Sequence, residues 1–166
     1  MLPDLLRRHL DLVICGAAAG TRSAAQGLYY AGLGNKFWRT LATVGLTSRQ
    51  LEPSEYRLLL NYGIGLTDLV KDQAGGDRTI SFRRADSMLV RLTIMRYQPR
   101  YLCFNGKRAA QEFLGTREVE FGVQRSRIGK TVLFVAPSTS AAANATWDPA
   151  VWQDLAKRVR RRNAAA

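Results

Sequence analysis

Four short apolar runs punctuate the chain: Leu12-Val13-Ile14-Cys15, residues 64–70, Tyr101-Leu102-Cys103-Phe104 and Val132-Leu133-Phe134-Val135. Runs of this length bounded by polar or glycine residues read as buried strands. The segments between them carry helical spacing. Phe37, Leu41 and Val44 recur at i, i+4, i+7; Ala85, Met88, Leu89, Leu92 and Met95 mark one face of a longer helix; Val151, Leu155 and Val159 mark the last. Strands alternating with helices imply right-handed crossovers and a sheet covered on both faces. The predicted class is α/β, a three-layer α/β/α arrangement around a central four- to five-stranded, mostly parallel sheet.

Ligands of such sheets bind beyond the carboxyl ends of the strands. Those ends are predicted at residues 16–20, Thr67-Asp68, Asn105-Gly106 and residues 136–142. The first, Gly16-Ala17-Ala18-Ala19-Gly20, reads as a small-residue turn that lets a ligand approach the backbone closely. An ordinary strand-to-helix turn has the same composition. Residues 71–84 are polar, glycine-rich and basic, and are predicted to form a flexible loop on the same rim.

Composition narrows the functional classes. The chain has 166 residues and 46% apolar content, enough for one domain with one sizeable core, so residues 1–166 are expected to fold as a single unit. Its 25 Lys and Arg against 13 Asp and Glu give a net charge of +12, a field that attracts polyanions, of which nucleic acid is the commonest. No stretch approaches the roughly 20 apolar residues of a membrane span, and the start, Met1-Leu2-Pro3-Asp4, lacks a signal pattern. Cys15 and Cys103 sit inside apolar runs without metal-ligand spacing, so no metal and no cofactor is expected, and a reducing cytoplasm fits, with nucleoid association if the source is bacterial. His9 is the sole histidine, which excludes Ser-His-Asp and Cys-His catalysis at any site away from it. It lies among Arg7, Arg8 and Asp11 before the first strand and reads as a solvated helix end. The carboxyl terminus is basic through Arg162, and residues 163–166 are expected to fray.

Seven stretches in one order carry a resemblance. They are Asp11-Leu12-Val13-Ile14, Gly34-Asn35-Lys36-Phe37-Trp38, residues 62–70, Tyr97-Gln98-Pro99-Arg100, Phe104-Asn105-Gly106-Lys107, Glu120-Phe121-Gly122-Val123-Gln124 and Pro137-Ser138-Thr139-Ser140-Ala141. In this register the chain resembles the mismatch-specific uracil/thymine DNA glycosylases, a branch of the uracil-DNA glycosylase superfamily. The resemblance implies the superfamily's fold and a reaction: a base is flipped out of DNA and its glycosidic bond is hydrolysed, leaving an abasic site. It implies a monomer whose partner is DNA containing uracil or an abasic site.

The resemblance also implies roles for particular residues. Tyr30 falls where the family stacks an aromatic on the base; of Tyr29 and Tyr30, alternation leaves one for the pocket. Ala18 falls where the family places an Asn that positions the attacking water, and Ala136 where some branches carry a His that stabilises the leaving base. A methyl group does neither. Backbone N–H groups of Ala17, Ala19 and Gly20 are then candidate donors to the departing base, and Asp68, where relatives often carry Asn, is the candidate catalytic carboxylate. Asp68 either contacts the base N3–H or acts on water; an aspartate after a strand is also a common cap or turn former. Asn35 and Ser138 complete the predicted base site, with Thr21 and Thr67 as further candidates for holding water. For DNA, the predicted contacts are Arg22, Lys36, Thr139 and Ser140 to phosphates, and Ala142 and Asn144 in the loop that enters the duplex. Alanine fills a vacated stack poorly, so Arg78, Arg83 and Arg84 of the basic loop are expected to assist.

Overall fold

The computed structural model describes residues 1–161, so Arg162 and the expected tail at 163–166 lie outside it. Its elements run β1 (Leu12–Ala19), α1 (Thr21–Gln26), α2 (Phe37–Thr43), a 3-10 segment (Pro53–Tyr62), β2 (Ile64–Ala74), α3 (Arg84–Tyr97), β3 (Tyr101–Asn105), α4 (Lys107–Leu114), β4 (Gly122–Ile128), β5 (Thr131–Ala136), a second 3-10 segment (Ala141–Thr146) and α5 (Pro149–Arg160). The strands form one sheet in the order β2-β1-β3-β5-β4. All neighbours are parallel except the β4–β5 hairpin. The four strands expected from the apolar runs are present.

Alternation along each strand divides the interior into two cores, one per sheet face. Leu12, Ile14, Leu66, Cys103 and Phe134 point to one face, under Phe37, Trp38 and Leu41 of α2 and Trp152, Leu155 and Val159 of α5. Val13, Cys15, Leu69, Leu102, Phe104, Leu133 and Val135 point to the other, under Val90 and Ile94 of α3 and Ala109, Ala110 and Phe113 of α4. The result is the three-layer α/β/α architecture. The N-terminal segment lies along the outer edge of β2: Leu5 and Leu66 exchange both backbone hydrogen bonds at 2.9 Å. Gly65 permits that approach, since a Cβ there would stand 2.6 Å from the Leu5 carbonyl oxygen. Both cysteines are free and buried.

Several local expectations are corrected. Residues 16–19 are not a turn: β1 continues through them, pairing Gly16 with Asp68 and Ala18 with Val70, and only Gly20 turns, as the N-cap of α1. Asp68 is correspondingly mid-strand in β2, not at a strand end, which removes the cap reading. The segment 71–84 divides among three elements, with residues 71–74 in β2 and Arg84 opening α3. Its remaining connection is closed by Gln73, whose amide donates to the Ser81 carbonyl and accepts from the Ser81 N–H, both at 2.8 Å. His9 sits in an exposed turn with φ of 58°, not at a helix end.

Two differences concern packing. β4 was not anticipated, because Gly122-Val123-Gln124-Arg125-Ser126-Arg127-Ile128 is polar; it is an edge strand held by β5. α3 buries Asp86, Val90 and Ile94, so the face marked by Met88, Leu89, Leu92 and Met95 looks outward. Asp86 is tolerated inside because it accepts from the Arg83 main-chain N–H and guanidinium.

Candidate functional site

The site is built where β1 and β2 outrun β3. Pairing of β1 with β3 ends at Cys15–Phe104, whereas pairing with β2 continues to Ala19–Ala74. Residues 16–19 are therefore paired on one edge only. On the α2/α5 face of this extension Gly16 leaves a bare Cα, and two polar atoms converge on it. A Cβ at Gly16 would stand 2.6 Å from Asp68 Oδ1 and 3.3 Å from Tyr30 Oη. Glycine is required here to make room for a carboxylate and a phenol side by side.

Asp68 is 6% exposed, and its carboxylate receives no hydrogen bond among the described residues. The nearest cation is already committed: Lys71 Nζ donates to Asp4 Oδ1 at 2.6 Å, to Thr67 Oγ1 at 2.7 Å and to the main-chain carbonyl of Asp68 at 2.9 Å. Burial is the dominant influence on the Asp68 carboxyl, partly offset by Lys71 and reinforced by Asp4, and its pKa is pushed up to about 7. A carboxyl with that pKa exchanges a proton at neutral pH, as a general base must.

Tyr30 is held by its neighbours. Its backbone has φ of 53° in the left-handed region, and its ring stacks on Phe37 with centroids 3.8 Å apart and planes 20° apart. Phe37 in turn meets Trp38 edge-on, and the Trp38 indole N–H donates to the Tyr29 carbonyl at 3.2 Å. Tyr29 is buried in the core with its hydroxyl bonded to the Pro3 carbonyl, so Tyr30 is the member of the pair beside Gly16. Among the described residues Tyr30 Oη is buried with no hydrogen-bond partner of good geometry; the nearby Asn105 amide donates one of its two N–H groups to Thr139 and retains the other. Burial and the adjacent Asp68 push its pKa well up, so the phenol stays protonated. An unsatisfied buried hydroxyl costs about 1 to 3 kcal/mol. Tyr30→Phe is therefore expected to stabilise the ligand-free protein by about 1 kcal/mol in urea unfolding; a loss of stability would show that the hydroxyl is satisfied in solution.

The loop after β5 forms the other wall. Asn105, at the end of β3, donates from Nδ2 to Thr139 Oγ1 at 3.0 Å and accepts the Thr139 N–H at 3.1 Å. The Thr139 carbonyl accepts the Lys36 N–H at 2.8 Å, and the Trp152 indole donates to the Pro137 carbonyl at 3.0 Å. Ser138 packs against Gly106, at 3.1 Å from the position of a Gly106 Cβ. Asn105 was not among the predicted site residues, although Asn105-Gly106 was one of the strand ends where a ligand was expected and lies in one of the resembling stretches.

The other predicted residues separate into those near this centre and those committed elsewhere. Ala18 is on the same sheet face as Gly16 and partly exposed, whereas Ala17 points into the α3/α4 core and Ala19 is buried. Ala136 is fully buried in the core. Asn35 accepts the Phe37 N–H at 2.9 Å and so starts α2, and Thr67 bonds to Asp4 at 2.7 Å; both polar groups are structural here. Lys36 reaches Asn144 Oδ1 and the Ser140 carbonyl and lies over the Trp147 ring at 4.9 Å, which makes Lys36 and Asn144 an internal strut. Thr139 is wholly buried, while Ser138 and Ser140 are partly exposed and Ala142 is exposed. Arg83 is divided between Asp72 and Asp86, and Arg22, Arg78 and Arg84 are exposed. Thr21 is exposed at the start of α1. The Gly75 N–H donates to the Ala19 carbonyl at 2.9 Å, which brings the start of the 75–83 connection to the rim beside Gly20.

Among the described residues, no three His, Cys, Asp or Glu side chains converge as a metal site, and no helix is long and apolar enough to cross a membrane. The fold is similar to the solution NMR structure of a Methanosarcina acetivorans protein assigned as a candidate uracil DNA glycosylase. The match has a TM-score of 0.64 at 19% identity and covers 95% of this chain and 96% of that one. The profile of the Uracil DNA glycosylase superfamily matches residues 3–156, nearly the whole of the sheet and its covering helices. This chain, with its carboxylate and phenol meeting over Gly16, belongs to the uracil DNA glycosylase superfamily.

Proposed function

We propose that the protein is a monofunctional uracil-DNA glycosylase that hydrolyses the bond between deoxyribose C1′ and uracil N1, leaving an abasic site for base-excision repair. The observation that carries this reading is the buried, unbonded Asp68 carboxyl beside Tyr30 and Gly16, with a pKa near 7. In such a reaction the bonding electrons leave with the base and positive charge develops on the sugar. Asp68 in its ionised form accepts the proton of the water that adds to C1′, or anchors the uracil N3–H. Tyr30 offers the flipped base an aromatic surface and a free hydroxyl donor. Backbone N–H groups along residues 17–20 are the candidate donors to the departing uracil oxygen. Arg22, Arg78 and Arg84, within a +12 chain, supply phosphate contacts.

The test is a base-release panel on duplexes containing uracil opposite guanine or adenine, thymine mismatches and single-stranded uracil, read by alkali cleavage. Strand scission at uracil is the expected result. No scission on any substrate at enzyme excess excludes the reading. One observation favours a second reading, a turnover-deficient relative that holds damaged or abasic DNA: Ala18 presents only a methyl where the resemblance calls for a water-positioning Asn. Tight, salt-dependent binding to abasic DNA without base release would decide for it.

A further inference from the structure

The outward face of α3 has no role in the site. Met88, Leu89, Leu92 and Met95 are 53%, 51%, 56% and 56% exposed, the largest concentration of exposed apolar side chains on one element. With Ala85 they are not scattered. Residues 85, 88, 92 and 95 are spaced by three, four and three, the a and d positions of two heptads, with Leu89 beside the seam. This spacing produces a narrow apolar stripe suited to another helix. Singly exposed leucines need no explanation, but a contiguous patch of this type marks an interaction site. α3 also covers the sheet face opposite Gly16, Asp68 and Tyr30, since Val90 and Ile94 pack in the α3/α4 core. A partner there leaves the candidate site free.

The residues flanking the seam decide the partner. In the same register Arg84 and Arg91 occupy g positions and Arg96 an e position, and the one acidic residue of α3, Asp86, is buried against Arg83. Two copies of α3 would place these arginines against each other, in a chain already carrying +12. Opposite charge at e and g positions sets partner choice in paired helices, and like charge opposes pairing. Arg91 leans over the Phe113 ring of α4 at 4.7 Å, which restrains its guanidinium. The apolar stripe carries Leu and Met but neither of the aromatic residues, Trp and Phe, found on the apolar face of interfacial helices.

We propose that the outward face of α3 is a docking site for an amphipathic helix of another protein, one with apolar a and d residues and acidic e and g residues. At about 1.5 Å per residue the 14-residue α3 offers a seam roughly 21 Å long. A contact this short supports a transient complex rather than an obligate one.

The probe is a fluorescein-labelled three-heptad peptide with Leu at a and d and Glu at e and g, compared with a peptide of the same composition in which the seam is scrambled. Binding to the full chain is read by anisotropy at physiological salt. The seamed peptide is expected to bind at least about tenfold more tightly than the scrambled one, and Leu92→Glu or Met88→Glu to remove that difference. Both positions are exposed, so unchanged circular dichroism melts and unchanged DNA binding are expected for the variants. Equal binding of the two peptides, or insensitivity to Leu92→Glu, overturns the proposal. So does a dimer in sedimentation that Leu92→Glu dissociates, which assigns the face to a second copy, or Leu92-dependent binding to phosphatidylserine vesicles, which assigns it to lipid.

Discussion

Asp68→Asn is expected to lower uracil release about 100- to 10,000-fold, the range for loss of a positioned general base, while making the protein more stable above neutral pH. The two effects have one cause. Asp68 is buried with no hydrogen-bond donor among the described residues, and its pKa stands near 7 in the folded chain against an ordinary value of 3.8. Below about pH 4 the carboxyl is protonated in both folded and unfolded chains and contributes nothing to the difference. Between about 4 and 7 the folded chain binds more protons than the unfolded one, so stability falls as pH rises. Above 7 the whole cost of a buried carboxylate is present, on the order of a few kcal/mol at about 1.4 kcal/mol per pKa unit. Asparagine has the same shape without the charge and should remove that decline.

The same carboxyl sets the expected pH profile of kcat/KM. Taking the proton of the attacking water, or accepting a charge-assisted hydrogen bond from uracil N3–H, calls for the ionised form, so the rate should rise through about pH 7 and level off above it. In Asp68→Asn that limb should vanish. Full turnover by the variant, or an unchanged limb, removes Asp68 as the base; the asparagine carbonyl could still accept a hydrogen bond from the uracil N3–H. A stability that fails to rise at pH 8 in the variant would show instead that the carboxylate is solvated in the free protein.

Asn105→Ala is expected to destabilise the fold by about 2 to 6 kcal/mol, the sum of leaving two buried polar groups without partners. The groups are the Thr139 hydroxyl and the Thr139 N–H, at a residue with no exposed surface. Thr139 also accepts the Lys36 N–H, so the bond joins the end of β3, the loop after β5 and the start of α2. Loss of that join should lower base release as well, through displacement of Ser138 relative to Gly16. A double-mutant cycle with Thr139→Val, read by urea unfolding, separates the pair from its surroundings. A coupling energy of about 1 to 3 kcal/mol is expected for residues in one buried network. Additive single effects would show that Asn105 acts only by filling space.

The sequence supports several of these conclusions without the structure. The runs at β1, β3 and β5, and the stretches of β2 on either side of Thr67-Asp68 as far as Val70, are predominantly apolar because parallel strands covered on both faces have no solvent side. Their alternation with helical segments carries the α/β class. The resemblance of seven ordered stretches pointed to the superfamily and to Tyr30, and the nearness of Asp68 in β2 to the Gly16 segment followed from placing both at the strand ends.

Other features depended on pairing and packing that no local pattern encodes. Gly16-Ala17-Ala18-Ala19 has no strand propensity of its own, and it extends because β2 supplies a partner as far as Ala74. That extension puts Asp68 in mid-strand and converts a presumed turn into the bare surface on which Asp68 and Tyr30 meet. β4 is polar because one edge and much of its surface face water, so its structure comes from β5. In α3 the periodicity marks two apolar faces, and the more strongly apolar one is outside. Arg83 neutralises Asp86 on the inner face, which makes burial of Val90 and Ile94 possible. By itself the sequence determined four of the five strands and the layered α/β class, because burial on two sides is written into those runs, and its ordered stretches carried the superfamily. Tertiary structure alone decided the length of β1, the charge state of Asp68 and the direction of α3, because those depend on partners distant in the chain.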